Sequence, residues 1–594
     1  MKKITLCTLI FLTSCFHLSI SRENKGLSSN KPTINSTAFG CPNTTAQTDL
    51  SINNVRAHIL NGGDLWWDYN NNTSGQYEIP NGSGKISIYA GAVWVGGYDA
   101  ANNLKMAAQT YRQSGGNDFW SGPISKDVSG TLDVTTATCS AYDRFWKLNK
   151  TDVVTFAGGG ASTPDILSWP GNGNVANGEL PFLAPFFDAN NNSIYEPLAG
   201  DYPKYDLTGS IISGCDEYLQ GDQTIWWVFN DIGNIHTETN SLFSIGLEIR
   251  AQAFAFSSSI TAVNNSTFYK YQIINRSSDP LLNTYFGVWC DADLGNALDD
   301  YVGCDVNLGL GYCYNGDAND DLPDGYGLNP PAIGIDFFQG PLADPGDGID
   351  NDRDGTTDEP GELIMMSNFI YYVNTNGVAN GNPALTDDYY QYLSGFWLDG
   401  VQVTYGGDGR GSGPGATTNP CSFMFPGTTD LLNTTNWTMS TAAIPPGDMR
   451  FIESAGKFTM AAGAVNYIST GVVWARATSG GPAASLALLQ AEDFTIQNLF
   501  NSCFTSSINE QSAADSYTLY PNPCVNYSIL KFNNAEGRNM TLKIYNINGK
   551  VVQQLSNIVN SEVRIDSRKF EKGIYIFQLT DNKESKISGK LTVL

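Results

Sequence analysis

Tyr520-Pro521-Asn522-Pro523 opens the last stretch of the chain, Leu542-Lys543-Ile544-Tyr545-Asn546-Ile547-Asn548-Gly549-Lys550 follows, and Lys572-Gly573-Ile574-Tyr575-Ile576-Phe577-Gln578-Leu579 leads to Leu594. Short runs alternate apolar and polar residues, which gives a strand one buried and one wet face. Asn-Gly and Lys-Gly dipeptides between the runs let the backbone reverse. The stretch is therefore expected to form a small antiparallel β-sandwich over 517–594, with a polar linker over 505–516 before it.

The Pro521-Asn522-Pro523 entry, the Asn548-Gly549-Lys550 turn and the Gly573-Ile574-Tyr575 strand recur in the order of a known family. By them the tail resembles the C-terminal sorting domain, type A, of proteins exported by the Bacteroidetes type IX secretion system. The resemblance implies recognition by the outer-membrane export machinery. Cleavage of the tail would follow, with the passenger attached to surface lipopolysaccharide or released.

Met1-Lys2-Lys3 and the apolar run Ile4 to Ile20 read as a signal peptide, residues 1–21, because the run is too short to anchor in a bilayer. A second reading of that segment is a lipobox, Leu12-Thr13-Ser14-Cys15, with Cys15 lipidated. No later run is long and apolar enough for a transmembrane helix, so the route predicted is export through the periplasm to the surface or the medium.

The formal net charge is −26, and it is unevenly spread. From Tyr517 onward 11 basic residues face 6 acidic ones, a net of +5, which leaves −31 on everything before it. Such a passenger repels nucleic acid, whose binders need clustered Lys and Arg. It suits solubility or hard cations.

Residues 22–50 are polar and aperiodic at first sight and read as a flexible arm. Strand signals dominate from Ile52 to Phe504, among them Ala92-Val93-Trp94-Val95, Ile225-Trp226-Trp227-Val228-Phe229, Phe268-Tyr269-Lys270-Tyr271 and Gly471-Val472-Val473-Trp474. One helical pattern stands out, Pro482 to Asn498, with Leu486, Leu488, Leu489 and Phe494 as its apolar face. The expected class is all-β and multi-domain, a β-sandwich-like passenger with long loops. Length points to more than one packed unit, 51–213 and 214–504. Gly63-Asp64 with Trp66-Trp67 echoes Gly221-Asp222 with Trp226-Trp227 as a weak sign of duplication.

Asp347-Gly348-Ile349-Asp350-Asn351-Asp352-Arg353-Asp354-Gly355-Thr356-Thr357-Asp358-Glu359 carries the strongest chemical signal. Calcium takes six to eight oxygens, and carboxylates at alternate positions with a Gly to turn the loop wrap one ion. Asp350, Asp352, Asp354 and Asp358 fill ligand positions; Gly361 stands where an EF-hand has Glu, so Asp347 or Glu359 must complete the shell. The run resembles an acidic motif of many secreted bacterial proteins that has Cys at the position of Arg353. Asp188, Asn190, Asn192 and Glu196 repeat the oxygen spacing with fewer charges, and an Asn-rich turn explains them equally well. Asp317, Asn319, Asp321 and Asp324, and Asp291, Asp293, Asp299 and Asp300, are looser groups of the same kind.

Outside the signal segment only His58 and His236 are present, and no Gly-x-Ser-x-Gly, His-Glu-x-x-His or phosphate-binding Gly loop occurs. A buried, hydrogen-bonded role is expected for His236. Paired carboxylates need no His, so a secreted glycan hydrolase is the alternative to a binding or structural protein. Trp66, Trp67, Trp226, Trp227, Tyr371, Tyr372, Tyr389 and Tyr390 either stack on sugars or neighbouring proteins or fill the core between sheets. Eight of the eleven cysteines lie in the passenger, and one bridge is expected within Cys290, Cys304 and Cys313. The passenger also resembles a large group of Bacteroidetes surface proteins with this tail, through Asn61-Gly62-Gly63-Asp64, Gly221-Asp222-Gln223 and Val473-Trp474-Ala475-Arg476; no activity comes with that resemblance.

Overall fold

The computed structural model describes residues 39–504, apart from 113–114, 212, 427–430 and 432, and 517–593, apart from 521, 523, 525, 533, 535–536, 547–549, 571 and 581–585. The expected signal peptide with Cys15, residues 22–38 of the arm and the 505–516 linker lie outside the described residues. The chain divides into two compact units, one reaching to residue 506 and one starting at 507.

In the first unit two large antiparallel sheets face each other. One has ten strands, with the order Asn368–Val373, Met449–Met460, Leu281–Asp291 and Ala90–Tyr98 along its longest ladders. The other has nine and includes Gln223–Asn230, Leu247–Ala255, Thr267–Asn275, Val465–Ala475, Ala332–Gln339, Leu310–Asn315 and Asp300–Asp305 in that order. Both sheets draw strands from either side of residue 213: Ala90–Tyr98 pairs with Leu281–Asp291, and Trp146–Asn149 pairs with Gln223–Asn230. The boundary expected at 213/214 therefore runs through shared ladders and does not part the fold.

The strand Gln-Thr-Ile-Trp-Trp-Val-Phe-Asn at 223–230 is buried throughout. Successive side chains leave a strand on opposite faces. Ile225, Trp227 and Phe229 enter the core between the sheets, while Trp226 and Val228 join Trp146, Leu148 and Trp169 on the outer face. Both faces are covered, so the run reads as continuously apolar. Further along the same sheet the outer face is covered by the helix Gly481–Asn501, through Leu486, Leu489 and Ile496. That helix was expected over Pro482–Asn498, but its buried face runs Leu486, Leu489, Gln490, Asp493 and Ile496, and Phe494 is only half-buried. Shorter helices at Thr136–Tyr142, Lys150–Ala157 and Thr386–Leu393 carried no long apolar period to announce them.

The two double-Trp segments do not share a structure. Trp66-Trp67 follows the two-residue strand Asp64–Leu65, with Trp66 at φ 70°, whereas Trp226-Trp227 lies inside an eight-residue strand. Trp66 lies against Gly91, where a Cβ would come within 2.3 Å of its ring, and donates Nε1–H to Tyr269 Oη at 2.9 Å on the opposite sheet.

Of the arm expected over 22–50, residues 39–50 are described. Gln47–Leu50 pairs with Arg56–Leu60, and Cys41 is bonded to Cys139. A second disulfide joins Cys215 to Cys503, just beyond the long helix. The bridge expected within Cys290, Cys304 and Cys313 is absent: all three are buried thiols. Cys304 faces Gly311 and Cys313 faces Val302, so the two stand out of register on neighbouring strands. Their thiols meet the carbonyls of Met424 and Ala292 at 3.4 and 3.8 Å instead.

The second unit is a small sandwich. Tyr517–Tyr520, Tyr527–Phe532 and Glu562–Asp566 form one antiparallel sheet; Met540–Tyr545, Val551–Ile558, Gly573–Thr580 and Lys586–Val593 form the other. Leu530, Leu542, Ile544, Ile565, Phe577, Leu579 and Leu591 fill its core.

Closing a loop of 288 residues, the Cys215–Cys503 bridge restricts the unfolded chain strongly. Replacing both by Ser is expected to cost about 2–5 kcal/mol, read as a lowered melting temperature under non-reducing conditions. An unchanged melt would show that the bridge restrains nothing.

Candidate metal centres and the sorting unit

The 347–362 loop curls because its carboxylates accept backbone N–H groups a few residues ahead. Asp347 takes Ile349 N at 2.9 Å, Asp352 takes Asp354 N at 3.1 Å, Asp354 takes Thr356 N at 2.7 Å and Asp350 Oδ2 takes Gly355 N at 3.1 Å. Gly355 sits at φ 98°, a conformation that suits glycine. Two groups of carboxylate oxygens result, each within 4.8 Å of one another: Asp350, Asp352 and Asp354, and Asp352, Glu359 and Glu362. Asp352 belongs to both. Asp347 and Asp358 fall outside: Asp347 also accepts from Asn351 Nδ2, and Asp358 takes Gly348 N at 3.2 Å, which ties the loop across its base.

Glu362 was not among the expected ligands, because it lies beyond the alternating run. It is buried, with Oε1 accepting Asn351 N and Oε2 accepting Asp358 N at 3.1 Å. Asp350 Oδ1 and Glu359 Oε2 are shielded from solvent with no donor. A backbone hydrogen bond holds the Glu359 carboxyl down, but shielding and the charges of Glu362, Asp352 and Asp354 together push it above the usual range. Donor-less oxygens in an all-oxygen set fit a hard cation. Arg353 fastens the loop to the body, donating to Val306 O at 3.2 Å and Met366 O at 2.5 Å with its guanidinium over the Phe423 ring.

The 188–196 loop is filled differently. Asp188 accepts Asn192 N and Ser193 N, and Glu196 Oε2 accepts both Asn192 Nδ2 at 2.6 Å and Asn190 Nδ2 at 3.3 Å. Buried Asp201 takes Ala189 N and Glu196 N. Its oxygens are largely engaged by the turn itself, and no group of three carboxylates converges there.

A third group does converge. Asp291 and Asp293, at the end of the Leu281–Asp291 strand, meet Asp448, which precedes Met449–Met460. The register sets Asp291 opposite Arg450, so the flanking carboxylates arrive at one end of the ladder. Arg450 is fully buried and pairs with Asp291 at 3.2 Å and with Asp448; Tyr111 Oη also donates to Asp291. Burial first, then repulsion from Asp291 and Asp448, pushes the Asp293 carboxyl well up despite Arg450. Asp299 and Asp300 stand outside this group. Asp317, Asn319, Asp321 and Asp324 bring no three carboxylates together among the described residues.

The aromatic candidates are core. Trp66, Trp67, Trp226, Trp227, Tyr371, Tyr372 and Tyr389 are buried, and Tyr390 is half-buried with Oη on Asn283 O. Two cavities of about 370 and 310 Å³ open on the first unit; Asp216 and Lys270 line the larger, and the smaller carries no carboxylate, so neither offers two acids to one another.

In the second unit Asn522 Oδ1 accepts Thr592 N at 2.8 Å, pinning the entry segment to the last strand. Lys550 closes its turn through two bonds with Asn546, each at 3.0 Å. Gly573 begins a strand in which Tyr575 is buried against Phe570, ring centroids 4.8 Å apart. Pro521, Pro523, Asn548 and Gly549 lie outside the described residues. Residues 518–593 match the family model described as "Secretion system C-terminal sorting domain". The chain is type IX secretion cargo. It is accordingly a secreted or cell-surface protein, and no described helix is long and apolar enough to cross a membrane.

No curated protein matches the chain. Among solved structures it is similar to a polysaccharide lyase, at 10% identity over 59% of this chain and 34% of the other with a TM-score of 0.15. It is also similar to the dimeric latent PorU of Porphyromonas gingivalis, at 11% identity over 63% of this chain and 32% of the other with a TM-score of 0.13. The chain spans about a third of each, and at these scores neither likeness carries an argument.

His236 is buried, as expected, with Nδ1 2.8 Å from Met106 O and Nε2 2.6 Å from Asp231 O. Carbonyls only accept, so both nitrogens donate and the ring is a cation. Burial opposes that charge, but Asp118 and Asp231 outweigh it and raise the pKa above 6.5. The folded state holds this proton more tightly than the unfolded chain, so the stabilisation is complete below pH 6.5 and fades as pH rises through the folded-state value. His236→Gln is expected to cost about 3–5 kcal/mol in the acid range and less at alkaline pH. Equal costs in urea melts at pH 6 and pH 9 would refute the cationic assignment.

Proposed function

We propose that this cargo protein is braced by calcium and works on the cell surface or in the medium by adhesion, binding or building rather than catalysis. The observation that carries the reading is the 347–362 loop, where Asp350, Asp352 and Asp354 form one group of carboxylates, Asp352, Glu359 and Glu362 a second, and two shielded oxygens lack a donor. An acidic loop fastened by Arg353 loses self-repulsion when a divalent ion fills it. The 188–196 loop, through Asp188, Asn190, Asn192 and Glu196, is the weaker calcium candidate. The signal peptide delivers the chain to the periplasm, the sorting unit presents it to the type IX export machinery, and surface lipopolysaccharide, glycans or neighbouring surface proteins are its partners.

The alternative, a glycan hydrolase, needs two carboxylates facing one cleft; the aromatic residues that could have stacked on sugars are instead mostly buried.

Calcium bound only by the folded state adds RT ln(1 + [L]/Kd), about 2.7 kcal/mol at a hundredfold excess over Kd. Chelation with EDTA is therefore expected to lower the melting temperature of the wild type and to lower that of Asp352→Asn by less, since Asp352 joins both carboxylate groups. An EDTA-insensitive wild-type melt removes the calcium reading. Deleting 520–594 is expected to leave the passenger in the periplasm; finding the truncated chain on the surface or in the medium would remove the export reading.

A further inference from the structure

The helix Gly481–Asn501 covers an acidic pair that no basic side chain satisfies. Asp336 lies on the Ala332–Gln339 strand between Ile335 and Phe337, which face the core between the sheets, so Asp336 faces the helix. Asp493 lies in the middle of the helix's buried face, between Leu489 and Ile496. Both are 0% exposed, and their carboxyl groups are neighbours across the helix–strand interface. Their four oxygens meet no other donor.

The titratable groups around them are all acids. Asp305, at the end of Asp300–Asp305, accepts Gln490 Nε2 at 3.0 Å and the N–H groups of Asn307 and Leu308. Glu453, from Met449–Met460, accepts Gly311 N at 3.0 Å with one oxygen, and its other oxygen has no donor. Half-buried Glu492 adjoins Asp493 on the helix. Among the described residues no Lys, Arg or His acts on Asp305, Glu453, Glu492 or Asp493. Two ionised carboxylates in contact at this depth would repel strongly, whereas one proton between them makes a short charge-assisted bond.

We propose that Asp336 and Asp493 share one proton at neutral pH, and that this carboxyl–carboxylate bond is a pH-sensitive latch holding the last helix of the passenger onto the nine-stranded sheet. One carboxyl keeps its O–H and donates it; the other is ionised and accepts. When the pair releases the proton to solvent, both become anionic and the contact turns repulsive. Burial, then the Asp493 charge, pushes Asp336 well above the ordinary value of 3.8; burial, then the Asp305 charge, pushes Asp493 well up although its contact with Asp336 opposes the shift. The folded state thus holds a proton that the unfolded chain has lost, so this contribution is complete below pH 3.8 and declines as pH rises, until the folded pair ionises. Its slope is a factor of about ten in the folding constant per pH unit.

The test uses the full chain and Asp493→Asn, whose amide donates to Asp336 without a proton to lose. The ratio of wild-type to variant folding constants is expected to fall about tenfold per pH unit between about pH 5 and pH 8. Infrared difference spectra should show a protonated buried carboxylic acid in the wild type at pH 7 that is missing from both Asp493→Asn and Asp336→Asn. The spectrum decides alone if a variant is too unstable to melt. A pH-independent ratio, or no such band, overturns the proposal. So does one equivalent of metal in the wild type that both variants lose, because the pair would then clasp a cation.

Discussion

A carboxylate taken out of water costs several kcal/mol unless a donor or a positive charge meets it, and this chain has 59 acidic residues to 33 basic ones. Several of the passenger's basic side chains meet that cost. Arg112 meets Asp64 at 2.5 Å, Arg250 and Arg276 share Glu248, and Arg450 serves Asp291 and Asp448. Asp231 is met by the N–H groups of Ile245, Gly246 and Leu247 and by the His236 ring. Other buried carboxylates are met by backbone N–H and hydroxyl donors, as Asp118, Asp201 and Glu238 are; the 347–362 loop keeps its acids near the surface, and Asp336 and Asp493 adjoin each other.

That division links architecture to role. The sandwich places its tryptophans inside, with Trp94 stacked on Trp289 and Trp289 Nε1 donating to Tyr372 Oη at 2.6 Å. The acidic 347–362 loop lies largely exposed outside that core.

The strand runs, the long helix and the sorting sandwich were legible because they rest on local alternation and turn chemistry. Convergence was not. Asp448 lies more than 150 positions from Asp291, and only the register that sets Arg450 opposite Asp291 joins them. Glu362 was invisible because a ligand spacing read along the chain stops at Glu359. Asp493 sat in an apolar helical period that gave no reason to bury a carboxylate. The cysteine expectation failed for the same cause: proximity in sequence put Cys304 and Cys313 on paired strands but out of register, while the real bridges close loops that no spacing rule marks.

Calcium at the 347–362 loop is the central claim, and a crystal structure of the intact chain grown with calcium tests it most directly. The account predicts one ion, verified by anomalous scattering, bound by Asp350, Asp352 and Asp354 with Glu359 or Glu362 completing the shell. A well-ordered loop whose carboxylates meet only water and backbone N–H groups would contradict it.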